Sequence, residues 1–332
     1  MAVDVLSEAL KFVRLTGALV FRVDITGPWG IASHPSASRF APVLPAGTSH
    51  IIAFHAVIAG RCWLRQGKGR WLHADAGDVA VLAGGDPHVL CDEPDRKVMQ
   101  FARWLGNRDL LDLRHEQVTT GPGTTVSLLC GFLGCDRRAF EPMFSGLPPI
   151  FTVRLAGSAG ALLDFAAAEA LNDGPGADGL RVRVAEVMFM EALREYIRAI
   201  PVNASGWLAG IHDALVGRAL RAIHEFPAEN WSVSELARHA ACSRSSLASR
   251  FRDVVGEPPM HYLTRVRMQL AARYLSEHAC VVTKIADRVG YDSSAAFQRA
   301  FKRFYGVPPA AWRQRRLAAD SGDWHVPGDA AS

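Results

Sequence analysis

The chain has 332 residues, 49% of them hydrophobic, with 37 Lys+Arg against 33 Asp+Glu for a formal net charge of +4, which leaves room for two domains with separate cores. Residues 206–317 hold 17 Lys+Arg against 9 Asp+Glu, a net of +8, so the remainder stands at 20 against 24, or −4. A basic third beside a mildly acidic remainder fits a nucleic-acid module joined to a module with another task, and no run of about 18 apolar residues provides a membrane span.

In chain order, residues 4–14 read as a short amphipathic helix, with Asp4 and Glu8 standing early and no apolar core of a secretion signal beside them. From Gly17 the period changes. Residues 18–25, 51–58, 60–65, 71–73 and 79–82 are short apolar runs separated by Gly, Pro, Ser and Asp, the pattern of strands in a sandwich or barrel. Six cysteines (Cys62, Cys91, Cys130, Cys135, Cys242 and Cys280) lack a compact secreted framework, so they read as reduced thiols of a cytoplasmic protein.

Gly77-Asp78 opening a strand, followed by Gly84-Gly85-Asp86-Pro87-His88, resembles the second half-motif of cupin barrels. The wider run through Arg22–Gly30, Gly60–Leu64 and Leu129–Cys135 is similar to the cupin-like sensor domain found ahead of many AraC-type regulators. That resemblance covers about residues 5–155, with Ala83 in place of the usual proline. It implies a β-barrel over residues 1–155 that senses an unknown small-molecule effector at its mouth. Candidate lining residues are Trp29, His50, Phe54, His55, Trp63, Trp71 and His88, although tryptophans in an all-β core are more often packing. Cupin enzymes hold a metal on His and Glu from two half-motifs. Here His50 and His55 are five apart rather than His-x-His, and no glutamate follows. This speaks against the rival reading, a metal-dependent cupin enzyme with an accessory DNA-binding domain. A structural zinc on His88, Cys91, Cys130 and Cys135 is allowed by the spacings but not demanded by them, since buried cysteine also serves as a small hydrophobe.

After Leu155 the pattern turns helical. Residues 161–171 form one helix, residues 172–179 a loop rich in turn formers, and residues 180–200 a long helix. Its apolar positions, among them Val184, Val187, Met188, Phe189, Met190, Leu193 and Ile197, extend too far round for one buried face. Residues 156–205 therefore read as a linker and homodimerisation segment, packed against the barrel and a second copy, or else as a helix buried within one subunit. Residues 200–206 form the hinge.

The remaining stretch says the same thing twice. Leu247, Phe251, Gly256, Pro258, Pro259 and Tyr262 recur 50 positions later as Phe297, Phe301, Gly306, Pro308, Pro309 and Trp312, an internal duplication. Each copy reads as a helix, a tight turn and a second helix. Ser232 with Glu235 and then Ser243 supply caps in the first copy; Thr283 and Ser293 or Ser294 supply them in the second. One helix with Leu263, Val266, Leu270 and Tyr274 on a stripe joins the units. A helix–turn–helix places the exposed side of its second helix in the DNA major groove. Those exposed positions are Arg244, Ser245, Ser246, Ala248, Ser249 and Arg252, then Ser294, Ala295, Gln298, Arg299, Lys302 and Arg303. Arginine pairs with guanine, glutamine with adenine and short hydroxyls with phosphate. Two solvated faces of an ordinary bundle are the plainer alternative, which the duplication disfavours.

Residues 208–317 resemble the DNA-binding domain of AraC/XylS-type transcription regulators, above all in Ile285–Tyr291 and in Phe297-Gln-Arg-Ala-Phe301-Lys-Arg-Phe304-Tyr-Gly306-Val-Pro-Pro309. The resemblance implies two helix–turn–helix units on a rigid connecting helix, bound to double-stranded promoter DNA, with RNA polymerase as a further partner of an activator. In one respect the chain departs from it: Ala248 and Ser249 stand where relatives often carry long base-contacting side chains. The overall expectation is an α+β chain with a cupin-like barrel (1–155), a helical segment (156–205), an all-α DNA-binding domain (206–317) and a disordered tail (318–332).

Overall fold

The computed structural model describes residues 4–10, 15–35, 40, 44, 48–106, 108–135, 146–201, 206–277 and 281–320. The chain divides into two compact units, one of Leu15–Ile200 and one of Met1–Arg14 together with Pro201–Ser332. Helix α1 (Val5–Leu10) belongs to the second of these.

The first unit is built on eleven short strands: β1 (Leu15–Thr26), β2 (Gly30–Ser33), β3 (His50–Ala59), β4 (Arg61–Gln66), β5 (Leu72–Asp75), β6 (Asp78–Leu82), β7 (His88–Cys91), β8 (Met99–Gln100), β9 (His115–Thr119), β10 (Thr125–Cys135) and β11 (Phe151–Arg154). They form two sheets, in the orders β11-β6-β3-β10-β1-β9 and β5-β4-β7-β2-β8. Strands β3 and β4 follow one another across Gly60 yet lie in different sheets, and the chain returns between β5 and β6. Phe21, Val23, Ile25, Ala53, Val57, Leu128 and Phe132 of the larger sheet pack with Cys62, Leu64, Ala74 and Leu90 of the smaller in one core. The closed β-barrel expected from the sequence does not form among the described residues. The sheets end instead on β9 and β11, β5 and β8, of which β8 has two residues and β5 and β11 four; such short edges offer too little ladder to seal a barrel.

Strands β3 and β10 are buried almost along their whole length, as a strand covered on both faces must be. The second cover is helical. Helices α3 (Ser158–Glu169) and α4 (Ala177–Ala199) lie on the outer face of the larger sheet, following the five-residue α2 (Phe101–Leu105) in the chain. Val184, Ala185, Met188, Phe189, Ala192, Leu193 and Ile197 of α4 are buried, while Leu180 and Val187 are exposed. The helices read from the sequence as a linker thus form part of the first unit. Arg181 closes the intervening loop, donating from Nη1 to the carbonyl of Asn172 at 2.5 Å and pairing with Asp178. Gly131 opposes Phe54 across the β10–β3 ladder, and a Cβ there would fall inside the Phe54 ring.

The second unit continues with α5 (Trp207–His212), α6 (Val216–Glu225), α7 (Val233–His239), α8 (Arg244–Val255), α9 (Pro259–Glu277), α10 (Val282–Arg288), α11 (Ser294–Tyr305) and α12 (Pro309–Asp320). Helix α1 packs on α6. The duplication reappears in detail. Ser243 caps α8 by accepting from the Ser246 N–H, and Ser293 caps α11 by accepting from the Ala296 N–H. Both helices end on a left-handed glycine, Gly256 at φ 87° and Gly306 at φ 78°, a conformation that other residues adopt only with strain. Phe251 meets Tyr262 edge-on at 5.7 Å, and Phe301 meets Trp312 edge-on at 6.0 Å. Ser232 and Glu235 complete a capping box at α7. Thr283 does not cap α10: the N-cap is Val281, two residues earlier, and Thr283 sits inside the first turn. The hinge residues 202–205, Cys280 and residues 321–332 of the expected tail lie outside the described residues, whereas residues 318–320 complete α12.

Helix α9 joins the copies. Tyr262, Leu263 and Val266 are buried near its start, and Met268, Ala271 and Leu275 enter the core of the second copy with Ile285, Phe297 and Phe301. Between the two sets stands Arg267. Its Nε donates to the Pro227 carbonyl (2.8 Å), Nη2 to that of Glu229 (2.7 Å) and Nη1 to that of Gly290 (2.9 Å). Pro227 and Glu229 lead into the first helix–turn–helix; Gly290 is the turn of the second. Hydrogen bonds from a charged donor are the stronger kind, and their loss strands partly buried carbonyls. Arg267→Ala should therefore destabilise this unit by roughly 2–4 kcal/mol. Arg267→Lys should recover little of that, because an ammonium lacks the planar fork. Urea titration of both variants measures it.

Candidate nucleic-acid interface and candidate cavity

On α8, Arg244, Ser245, Ser246, Ser249 and Arg252 are exposed and Ala248 is half-buried; on α11, Ala295, Gln298, Arg299, Lys302 and Arg303 are exposed and Ser294 is half-buried. All twelve positions therefore lie on the outer sides of the two helices, opposite Leu247, Phe251, Phe297 and Phe301, which are fully buried. Their hydrogen bonds differ. Ser243 gathers the hydroxyls of Ser245 (3.1 Å) and Ser246 (2.9 Å), and Ser249 donates to Asp253 at 3.3 Å. Gln298 donates to the Ser294 hydroxyl at 3.2 Å. No carboxylate among the described residues pairs with Arg244, Arg252, Arg299 or Lys302, so their charge is directed to solvent. Arg250 is the contrast: it pairs with Asp213 at 2.8 Å, and Asp213 also accepts from the N–H groups of Leu215 and Val216. Partial burial opposes ionisation of Asp213, but these hydrogen bonds and the guanidinium outweigh it and hold the carboxyl below its usual range.

In the first unit, a cavity lies between the sheets, lined by Phe21, Trp29, Ser33, His55, Trp104 and Phe132 among others. Of the seven lining residues read from the sequence, Trp29 and His55 line it. His88 stands directly behind His55. Phe54 points to the opposite side of β3, where it lies over Gly131, as strand alternation requires. His50 donates to the Ala83 carbonyl at 2.6 Å. Trp63 stacks edge-on with His73 at 4.8 Å in a separate outer cleft, and Trp71 lies under the Arg65 guanidinium at 4.2 Å. The walls that sequence reasoning missed are Phe21, Phe101, Trp104 and Phe132: the Phe21 ring lies 6.2–6.5 Å from each of the other three, and Phe101 lies 5.3 Å from Trp104 and 6.4 Å from Phe132.

The histidines form a closed chain. Cys130 Sγ lies 3.2 Å from His55 Nδ1, His55 Nε2 2.8 Å from His88 Nε2, and His88 Nδ1 2.9 Å from the Asp86 carbonyl. A carbonyl only accepts, so His88 carries its proton on Nδ1 and accepts on Nε2. His55 then donates from Nε2 and accepts the thiol proton on Nδ1. Every member is neutral. Burial agrees with this assignment: it lowers His55 far below the usual imidazole range, lowers His88 to about 4, and pushes the Cys130 thiol up to about 12.

These placements do not bring the expected zinc ligands together among the described residues. Both imidazole lone pairs are occupied, Cys91 faces the Trp63 carbonyl, and Cys130 and Cys135 stand five residues apart on one strand, roughly 16 Å and on opposite faces. The zinc set His88, Cys91, Cys130 and Cys135 is therefore not assembled, and no three His, Cys, Asp or Glu among the described residues gather to hold an ion. The residues present do not fit a cupin metal, and the enzyme reading gains nothing from them.

Comparison with known proteins agrees with this architecture. The family model described as Cupin matches residues 4–198, and one described as a helix-turn-helix domain matches residues 236–315. An AraC-like transcription regulator of Streptomyces antibioticus is 34% identical over 295 residues, 86% of this chain and 95% of its own. Another, of Streptomyces lividans, is 33% identical over 321 residues, 94% and 98% of the two chains. The crystal structure of the DNA-binding domain of AdpA in complex with a target DNA is 30% identical, covering 34% of this chain and 99% of that one with a TM-score of 0.31.

The neutral chain has a pH signature. With His88 near 4 in the fold and about 6.5 when unfolded, the unfolded state takes up the proton first as pH falls. Stability is fully present above about pH 6.5 and is lost on the way down to pH 4; the loss between pH 7 and pH 5 is on the order of 2 kcal/mol. Thermal melts at both pH values should show this in the wild type and a clearly smaller loss in His88→Gln.

Proposed function

The chain belongs to the AraC-like transcription regulators, which bind DNA, and we propose that its promoter binding is sequence-specific and set by a small-molecule effector held in the N-terminal unit. The observation that carries the first half is the pair α8 and α11, identically capped, 50 residues apart in sequence and fixed on α9, each turning arginines to solvent. In this reading the two helices enter major grooves on one face of a duplex, about one helical turn apart. Arg299 and Gln298 read base edges from α11, while Arg244, Arg252, Lys302 and Arg303 hold phosphates. Ser245, Ser246 and Ser249, tied into local hydrogen bonds, contribute the weaker contacts of α8, beside Ala248; Ser294 and Ala295 let the start of α11 approach closely.

The effector half draws support from the cavity between the sheets. A ligand there shifts DNA binding only through a different affinity for the DNA-competent and incompetent states. The chain acts as a homodimer in this reading, through apolar side chains left exposed on the helical segment: Leu180 and Val187 of α4, Phe165 of α3 and Leu171 after it. RNA polymerase is the further partner if the regulator activates. No helix among the described residues is long and apolar enough to cross a membrane, and a site of action on cytoplasmic DNA follows from the proposed role.

Footprinting on the DNA upstream of the chain's own gene, followed by fluorescence anisotropy, tests the reading. Arg299→Ala should weaken specific binding by about 1–3 kcal/mol and relax one base position; an unchanged ratio of specific to random affinity removes that role. Lys302→Ala should lower affinity for all sequences alike and reduce the salt slope by about 1. An unaltered salt slope means Lys302 does not touch phosphate.

A further inference from the structure

The cavity between the sheets has a composition that says what it accepts. No Lys, Arg, Asp or Glu lines it, so an ionised guest would lose its hydration with nothing to replace it. Its polar atoms are few. His55 and Cys130 spend their donors and acceptors on one another and on His88. Trp29, only 4% exposed, leaves its indole Nε1–H buried without a hydrogen-bond partner; a buried N–H without an acceptor is uncommon and costly. The Ser33 hydroxyl is the further polar group in the wall.

The rest of the wall is apolar, with Val23, Ile25, Ile31, Leu90 and Leu128 beside four aromatic rings, three of which lie nearly parallel to the fourth, Phe21. Phe21 stacks with Phe101 at an interplanar angle of 22°, with Trp104 at 23° and with Phe132 at 18°. The remaining cavity is narrow, about 30 Å³, so a guest larger than a water or two enters by taking the place of a ring. Phe101 and Trp104 are the rings suited to give way. They ride on α2, five residues long, which hangs on the two-residue strand β8 and follows the exposed Val98 and Met99; so short an element is among the first to open locally.

We propose that this cavity binds a small, flat, uncharged aromatic molecule bearing a hydrogen-bond acceptor, which slides into the ring stack and takes the Trp29 indole proton. The inference rests on the effector reading above and gives that effector its chemical class. Trp29 is a specificity-determining donor, and α2 is the wall that yields.

Four probes of one size test it on the full chain: acetophenone, ethylbenzene, benzoate and benzylammonium. Binding is followed through the tryptophan indole N–H signals in nitrogen-15 NMR, with the Trp29 signal identified by its loss in Trp29→Phe. Acetophenone should shift the Trp29 signal and bind about fivefold to tenfold tighter than ethylbenzene, and the two ions should not bind. In Trp29→Phe the preference for acetophenone should vanish while ethylbenzene binds as before. Benzoate or benzylammonium binding as well as acetophenone overturns the proposal. So does a preference for acetophenone that survives Trp29→Phe, and so does the failure of every probe at millimolar concentration. Should Trp29→Phe not fold, the rank order on the wild type decides the matter alone. A parallel anisotropy titration of promoter DNA with acetophenone separates the two claims: an unchanged DNA affinity beside a shifted Trp29 signal defeats the effector reading and leaves the binding site standing.

Discussion

A single guanidinium holds the second unit to one geometry. Arg267 reaches three carbonyls that belong to both copies of the duplicated motif, those of Pro227, Glu229 and Gly290, and sits midway along the helix both copies share. Two reading helices on a flexible tether would each have to find DNA separately. Two helices joined by one 19-residue helix, about 28 Å long, present their side chains together, as the proposed reading of a duplex requires. The caps, the glycine stops and the edge-on aromatic pairs set the shape of each copy; the Arg267 bonds and the divided core of α9 set one copy against the other.

In the first unit the corresponding constraint is burial on both faces of one sheet. Strands β3 and β10 are covered by a second sheet on one side and by α3 and α4 on the other. Polar side chains in such a layer must satisfy one another. The run from Cys130 through His55 and His88 to the Asp86 carbonyl does so with every proton assigned in one direction, which keeps the group neutral and removes it from metal chemistry. The Trp29 indole, by contrast, lines the cavity with its N–H unsatisfied.

The double helix–turn–helix was legible because its signals are local. Caps, stops and core positions recur within a dozen residues, and the recurrence at 50 positions reinforced each one. The cavity was hardly legible, since its rings come from Phe21, Phe101, Trp104 and Phe132, which only the β1–β10 pairing and the fold-back of α2 bring together. Trp29 and His55 line the cavity, whereas Phe54 stands one residue from His55 on a strand and must face the other way. The same parity rule would have separated Cys130 from Cys135. Thr283 has the residue type of a cap, but the helix begins at Val282. Barrel closure depends on hydrogen bonding between strands far apart in sequence, for which strand composition gives no signal.

The inequality between α8 and α11 has a consequence for the DNA itself. In the proposed reading, a reader with short side chains at one end and long ones at the other has a direction, so a single subunit would distinguish the two orientations of its site along the chromosome. Aligned binding sites would carry their information lopsidedly, one sharply defined box followed by a diffuse one a helical turn away. Promoters could then drift in the diffuse box, tuning occupancy by small steps without losing the regulator.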